Sequence, residues 1–427
     1  MSIVLNKIIL GGFANIQQVC VNLTDLSSLV APNNYGKSNV LKGVTFAFDF
    51  IKASGTERTA MMNRRVYIPI NKHMADSPFS FEFHVTMSCE KGAVDFTYGF
   101  KFEWAKTNPR NGARIIEEHL RLRKSGEGKY KQYIHREKSD ESLYLPTEAS
   151  RCNRQLSLEG NILALEKLSY YDDLFFIEKL RAILSISVES VNTLDNPDDY
   201  FSGEILNEDI SGYSLKFPKP SQVGYFVNSL QHLDPDRYEF LKDTILSLLP
   251  SIESFTPVQV DLRGDTATPV PYQVPHVFYD IRVKEKNNNQ STSIASVSTG
   301  CKKILLLVVM LVAADINKVP LLMFEELENS VHPRLLQNIL LTVSALSGDT
   351  KILITSHSPY LVRFLTADKI YVGLPSGQGI ADFRTIRATK TRSLLHQAAA
   401  EEVTLGEYLF ELMLDMEDNT EIINEYF

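Results

Sequence analysis

The sequence predicts an α/β protein with a central, mostly parallel sheet, an antiparallel β subdomain and a helical insertion. Three observations carry this. Early in the chain, "LSSLVAPNNYGKSNV" sets a buried strand, a polar loop and a helix start in the order of a phosphate-binding loop. Late in the chain, the apolar runs "VPLLMF" and "KILITS" flank the helical "HPRLLQNILLTVSAL", the alternation of a parallel sheet covered on both faces. Between them, "FSFEFHVTM" and "AVDFTYGFKFEW" alternate with period two, as sheet strands with one buried face do.

Taken in order, the chain divides into four segments. Residues 1–104 form a first lobe: strands at "KIILGGFANI" and "QQVCVNL", the loop strand at "LSSLVAP", a helix from Lys37 to Ile51, then the two alternating strands. Residues 105–292 form an insertion. It opens with a hairpin, "ARIIEEHLRLR" and "KYKQYIHREK", and continues with helical spacing in "NILALEKL", "DLFFIEKLRAILS" and "DPDRYEFLKDTILSLLP" before a strand at "VFYDIRVKE". Residues 293–374 form a second lobe, in which "STGCKKILLLVVMLVAADIN" is a loop opening a helix apolar on every side, and so a buried one. Residues 375–427 are an extension with a basic "RTIRATKTR" and a Lys- and Arg-free acidic stretch from Glu401.

Composition bounds the classes. At 427 residues, 44% hydrophobic and 22% charged, the chain has the balance of an ordinary globular protein of two or three domains. The most apolar run, Ile304–Ala314, is well short of the ~20 residues that cross a membrane, and no basic-then-apolar leader opens the chain. A cytoplasmic protein without a membrane role is expected. The four cysteines, Cys20, Cys89, Cys152 and Cys301, have neither metal-site spacing nor suitably spaced histidines, as expected of idle thiols. A net charge of −8 gives no argument for a nucleic-acid partner. Locally, Arg121, Arg123, Lys124, Lys129, Lys131, Arg136 and Lys138 are either a nucleic-acid patch or the solvated face of a hairpin, the commoner case.

The chemistry concentrates at strand ends. A phosphate loop needs inward backbone N–H groups, a lysine for the β- and γ-phosphates and a hydroxyl for Mg²⁺, all at a helix N-terminus. Gly36, Lys37 and Ser38 supply the last turn, the charge and the metal ligand. The loop opens with Ala31 where glycine is usual, tolerable if φ is negative there, and Asn34 is one of the few residue types that accept positive φ. Glu325 and Glu326 follow the apolar "VPLLMF", where burying a carboxylate pair without a cation would be costly. Glu325 suits a magnesium's water shell and Glu326 a general base. His357 ends the next apolar run, placed to hydrogen-bond a γ-phosphate or an attacking water.

The succession GKSN, S-x-G-x-K-K, E-E-x-E-N-x-x-H-P and T-S-H-S-P resembles the ABC-type P-loop ATPases of the RecF, SMC and OLD-like group. It is most similar to the standalone AAA-type ATPase subunits of bacterial anti-phage systems of the PARIS, Septu and AbiL kinds. The resemblance implies an ABC-type P-loop NTPase head that binds ATP and Mg²⁺ and hydrolyses the ATP. It implies nucleotide contacts from Ala31, Asn33, Asn34, Gly36, Lys37, Ser38 and Asn39, metal association by Ser38 and Glu325, Glu326 as base and His357 as switch histidine. Ser298, Thr299 and Gly300 fall on the signature loop, which in the family contacts the γ-phosphate of the opposite subunit. A homodimer or higher assembly of dimers follows. Three residues depart from the pattern: Ala31 for glycine, Glu325 for aspartate and Leu327 for proline.

Two functional classes are consistent with this head. In the first, the ATPase senses a trigger and regulates a separate effector, a nuclease subunit. In the second, it is a RecF- or SMC-like DNA-binding ATPase of repair or recombination. OLD-like nucleases carry a TOPRIM domain after the switch histidine, for which the segment beyond His357 is too short, and no heptad run supplies coiled-coil arms. The regulator is the expectation.

Overall fold

The computed structural model describes residues 2–89, 92–105, 112–137, 140–191, 196–201, 205–206, 212–261, 277–329, 333–374, 378–414 and 418–427. The chain forms two compact units. One comprises Met1–Ser190, Pro320–Phe324 and Asp349–Phe427, the other Val191–Val319 and Glu325–Gly348.

The first unit contains two sheets. Eight strands make an antiparallel sheet in the order Ile16–Asn22, Ser2–Phe13, Phe79–Cys89, Gly92–Glu103, Arg114–Lys124, Lys131–Arg136, Glu141–Tyr144, Arg154–Ser157. The period-two alternation puts Phe79, Phe81, Phe83, Phe100 and Phe102 on its buried face. The hairpin at 114–136 continues this sheet, Phe102 pairing with Ile115. The second sheet runs in the order Val188–Val191, Leu321–Phe324, Lys351–Ser356, Leu26–Val30, Ile370–Leu374, Asp382–Thr385. Leu26–Val30 is flanked by two parallel neighbours, and only the Asp382–Thr385 pairing with Ile370–Leu374 is antiparallel among the registers defined there.

The helix Lys37–Lys52 has apolar residues around most of its circumference and packs against strands of both sheets. Phe50 stacks on Phe100 and Phe102 at 5.0 and 4.8 Å, and Phe48 meets Phe81 at 5.4 Å. Aromatic contacts of this kind add specificity to area burial. Sequence periodicity suggested a helix from Asp173, but the helix begins at Ile177: Leu174–Phe176 form turns in which Phe176 packs edge-on against Tyr133 at 5.1 Å.

The second unit is mostly helical. Val223–Leu233, Pro235–Leu248 and Thr299–Asn317 pack together beside the antiparallel pair Ile252–Asp261 and Val277–Glu285. In Thr299–Asn317 every residue from Lys302 to Ala314 is buried, as its unbroken apolar pattern requires. Among the described residues no helix is long and apolar enough to cross a membrane.

Candidate functional site

In the first unit, strand Leu26–Val30 runs into the loop and then into the helix at Lys37. Asn34 has φ 61 and Gly36 φ 123, whereas Ala31 is not among the left-handed residues, so the three conformations match what the sequence allows. A Cβ on Gly36 would fall 2.8 and 2.9 Å from the Asn15 amide atoms, so the chain passes there only as glycine. Lys37 is 5% exposed, and its Nζ donates to the carbonyls of Ala31 at 2.7 Å and Pro32 at 2.9 Å, arching over the loop.

The loop is held by residues the motif does not contain. Asn15 Nδ2 donates to the Tyr35 carbonyl at 2.9 Å and Asn15 Oδ1 accepts from Asn39 Nδ2 at 2.8 Å. The Asn39 side chain thus braces the loop. The Tyr35 hydroxyl accepts from the Asp382 amide at 3.2 Å, and burial pushes its pKa up to about 12. Asn33 and Asn34 are exposed.

The helix start fits an anion. Gly36 gives no side-chain cap, the first turn has no acidic residue, and the half-buried Ser38 hydroxyl has no protein hydrogen-bond partner among the described residues. The Asn39 amide turns back to the Gly36 carbonyl at 3.0 Å, and the positive end of the helix dipole faces the loop, an arrangement that suits an anion.

His357 leaves the same sheet edge. Val30 pairs with Ser356 in parallel register, and the Ala31 amide donates to the Ser356 carbonyl at 3.3 Å. Ala31 and His357 are therefore the next residues of two paired strand ends. The turn after His357 is fixed by Ser356 Oγ, which accepts from the Ser358 amide at 3.0 Å. Phe324 ends the neighbouring strand in register with Ile354, and Glu325 is bonded to it.

Glu325 and Glu326 belong to the second unit and are half-buried. The Glu325 amide donates to the Val191 carbonyl at 3.4 Å. Glu326 has φ 47, a conformation rare for a residue with a Cβ. Its Oε2 accepts from Asn329 Nδ2 at 2.6 Å, and its carbonyl accepts from Lys303 Nζ at 3.0 Å. Leu327 is 1% exposed and fills an apolar position where the family pattern has proline. His332 of the motif lies outside the described residues.

Ser298, Thr299 and Gly300 form the start of helix Thr299–Asn317 in the same unit. Ser298 is the cap, its Oγ accepting from the Cys301 amide at 3.4 Å, and Ser298 and Thr299 are exposed. Lys302 Nζ donates to Asp198 Oδ1 at 2.5 Å and to the Ala295 carbonyl at 2.6 Å, fixing the loop ahead of the cap.

The basic hairpin is not a single face. Arg136 is buried, with its guanidinium donating to the Ile162 carbonyl at 2.7 Å beside the buried Glu118 at 3.9 Å. Arg123 pairs with Asp95 at 3.1 Å and lies over the Tyr130 ring. A patch that includes Arg136 is ruled out by its burial, and Lys138 lies outside the described residues.

Similar folds occur among solved structures. An SMC head bound to the C-winged helix domain of ScpA is 12% identical, with TM-score 0.48 over 91% of this chain and 99% of that chain. The SMC head domain from Thermotoga maritima is 12% identical, with TM-score 0.43 over 90% and 100%. An Smc head with an extended coiled coil, bound to the C-terminal domain of ScpA derived from Pyrococcus furiosus, is 12% identical, with TM-score 0.47 over 93% and 100%. No curated protein matches the sequence. A family profile does match, over residues 27–363, from the phosphate-loop strand to beyond His357. The chain belongs to the family described as "AAA domain, putative AbiEii toxin, Type IV TA system", and is an AAA-type P-loop ATPase.

Proposed function

We propose that this chain binds ATP with Mg²⁺ and hydrolyses the ATP in a dimer or higher assembly of dimers, and that this cycle regulates a separate effector nuclease in anti-phage defence. The observation that carries the nucleotide reading is the Val30–Ser356 register, which brings the phosphate loop and His357 off adjacent parallel strands, with the loop's left-handed residues at Asn34 and Gly36.

Bound Mg²⁺-ATP supplies the scissile γ-phosphate bond and the charge that polarises it. Lys37 and the amides of the first helical turn hold phosphate oxygens. Ser38 and Glu325 are the residues the motifs assign to the metal, and Glu326 would take the proton of the attacking water. His357 orients at the γ-phosphate edge. Ser298, Thr299 and Gly300, exposed at a helix N-terminus, serve the phosphate of a second subunit. The regulatory role draws on the family's association with toxin systems and on the likeness of the motifs to defence ATPases, and a cytoplasmic location is part of this reading.

Lys37→Ala should abolish ATP binding in equilibrium dialysis, and Ser298→Arg should bind ATP without hydrolysing it. A mixture of the two creates dimers with one intact composite site, so partial hydrolysis should return. Normal turnover by Ser298→Arg alone would refute the shared site. Co-purification with the product of the neighbouring gene, followed by sizing of the complex, tests the effector.

A further inference from the structure

Lys303 ends a buried ammonium group inside an apolar helix, and the ammonium points at one turn. It is 1% exposed, and its Nζ donates to two carbonyls, Glu326 at 3.0 Å and Asn329 at 2.5 Å. Desolvating an ammonium is costly, and packing of this helix calls only for an apolar side chain, as at its neighbours Ile304 to Ala314. The adjacent Lys302 reaches elsewhere, to Asp198 and Ala295. The two lysines of the motif thus have different targets.

The turn that Lys303 grips is strained. Glu326 sits at φ 47, which persists in a residue with a Cβ only where the surroundings impose it. The Glu326 carbonyl accepts from both Lys303 Nζ and the Asn329 amide, the latter at 3.1 Å, while Asn329 Nδ2 holds Oε2 of the Glu326 carboxylate at 2.6 Å. Backbone and side chain of one residue are thereby fixed by two partners.

Given Glu326 as the general base proposed above, we infer that Lys303 and Asn329 are its positioning residues. Lys303 holds the peptide of Glu326 in the left-handed turn, and Asn329 aims the carboxylate by holding Oε2. The same helix carries, at its N-terminus, the Ser298 loop. Within one subunit it therefore presents that loop and sets the base.

The test compares Lys303→Met, Lys303→Arg and Asn329→Ala in the full chain, with Glu326→Gln as reference. Lys303→Met should lower kcat about tenfold to a hundredfold, the scale of a displaced catalytic group, with KM and ATP affinity within about twofold. Lys303→Arg should recover most of that loss. Asn329→Ala should lower kcat about tenfold at unchanged KM. In the nucleotide-free chain, amide exchange in a peptide spanning Phe324–Asn329 should be at least about tenfold faster in Lys303→Met, which loses both hydrogen bonds to that turn. Normal kcat in Lys303→Met or Asn329→Ala while Glu326→Gln is dead would overturn the positioning role and leave the base assignment standing. So would a KM that rises in step with the loss of kcat, or unchanged exchange. If Lys303→Met does not fold, Asn329→Ala decides by the same criterion. Normal turnover by Glu326→Gln would instead remove the base itself, and the positioning role with it.

Discussion

The Ala31 methyl lies against the bare Cα of Gly373: a Cβ built on Gly373 would fall 2.7 Å from the Ala31 Cβ and 2.5 Å from Tyr35 Cε1. The extra methyl at the loop's first corner is matched by a missing one on the neighbouring strand. Gly373→Ala should overpack the corner and cost about 1–3 kcal/mol in urea denaturation, with weaker ATP binding. Adding Ala31→Gly should return part of that loss, the remainder belonging to the Tyr35 ring. Strict additivity of the two substitutions would show that the residues do not share the space.

Arg136 should behave as a core residue. Its side chain and that of Glu118 are both 0% exposed, and Glu118 also accepts from the amides of Ala164 at 2.6 Å and Leu165 at 2.8 Å and from the Tyr98 hydroxyl at 3.0 Å. Arg136→Met leaves that carboxylate without its cation, and should cost about 3–5 kcal/mol of stability. A variant of normal stability that had lost nucleic-acid binding would restore the hairpin as a basic patch.

The acid limb of stability should depend on Glu82. His119 Nε2 and His84 Nε2 lie 3.0 and 2.8 Å from its carboxylate oxygens, and these contacts, His119 first, hold its pKa well below the ordinary value of 4.5. A lowered folded-state pKa gives stability that is full above 4.5 and is lost as pH falls through the folded-state value. Glu82→Gln should therefore be less stable than the parent near neutral pH, with the gap closing below about pH 4.5. Parallel urea midpoints across that range would sink the idea.

Much of this was legible from local pattern. The period-two runs gave the antiparallel strands, and the apolar run before Glu325 and the one ending at Ser356 gave two strands of the second sheet, because burial leaves a strong one-dimensional signal. Asn34 could be assigned positive φ because few residue types accept it. The loop's supports were not legible. Asn15, Gly373 and Asp382 reach it by tertiary contacts that no spacing encodes, and Asn15 is one polar residue in a turn among many. The lysine pair ahead of the buried helix was visible as a motif, yet only packing shows that Lys302 and Lys303 diverge. Arg136 misled for the same reason, since a buried and a solvated arginine look alike in a hairpin sequence.

The place of Leu26–Val30 in its sheet bears on synthesis. Its flanking strands pair Leu26 with Ile352 and Ser28 with Ile370, and the loop's further anchors at Ser356, Gly373 and Asp382 are also late residues. On a ribosome adding about 5–20 residues per second, this apolar strand waits roughly 15–70 s for either neighbour. The antiparallel sheet, made of strands within residues 2–157, has all its partners early and can shelter the helix Lys37–Lys52 meanwhile. Nucleotide competence is then among the last properties the nascent chain acquires. A polypeptide halted before residue 351 carries the phosphate-loop sequence without the two strands that pair with Leu26–Val30, so abortive products lack the loop's shape.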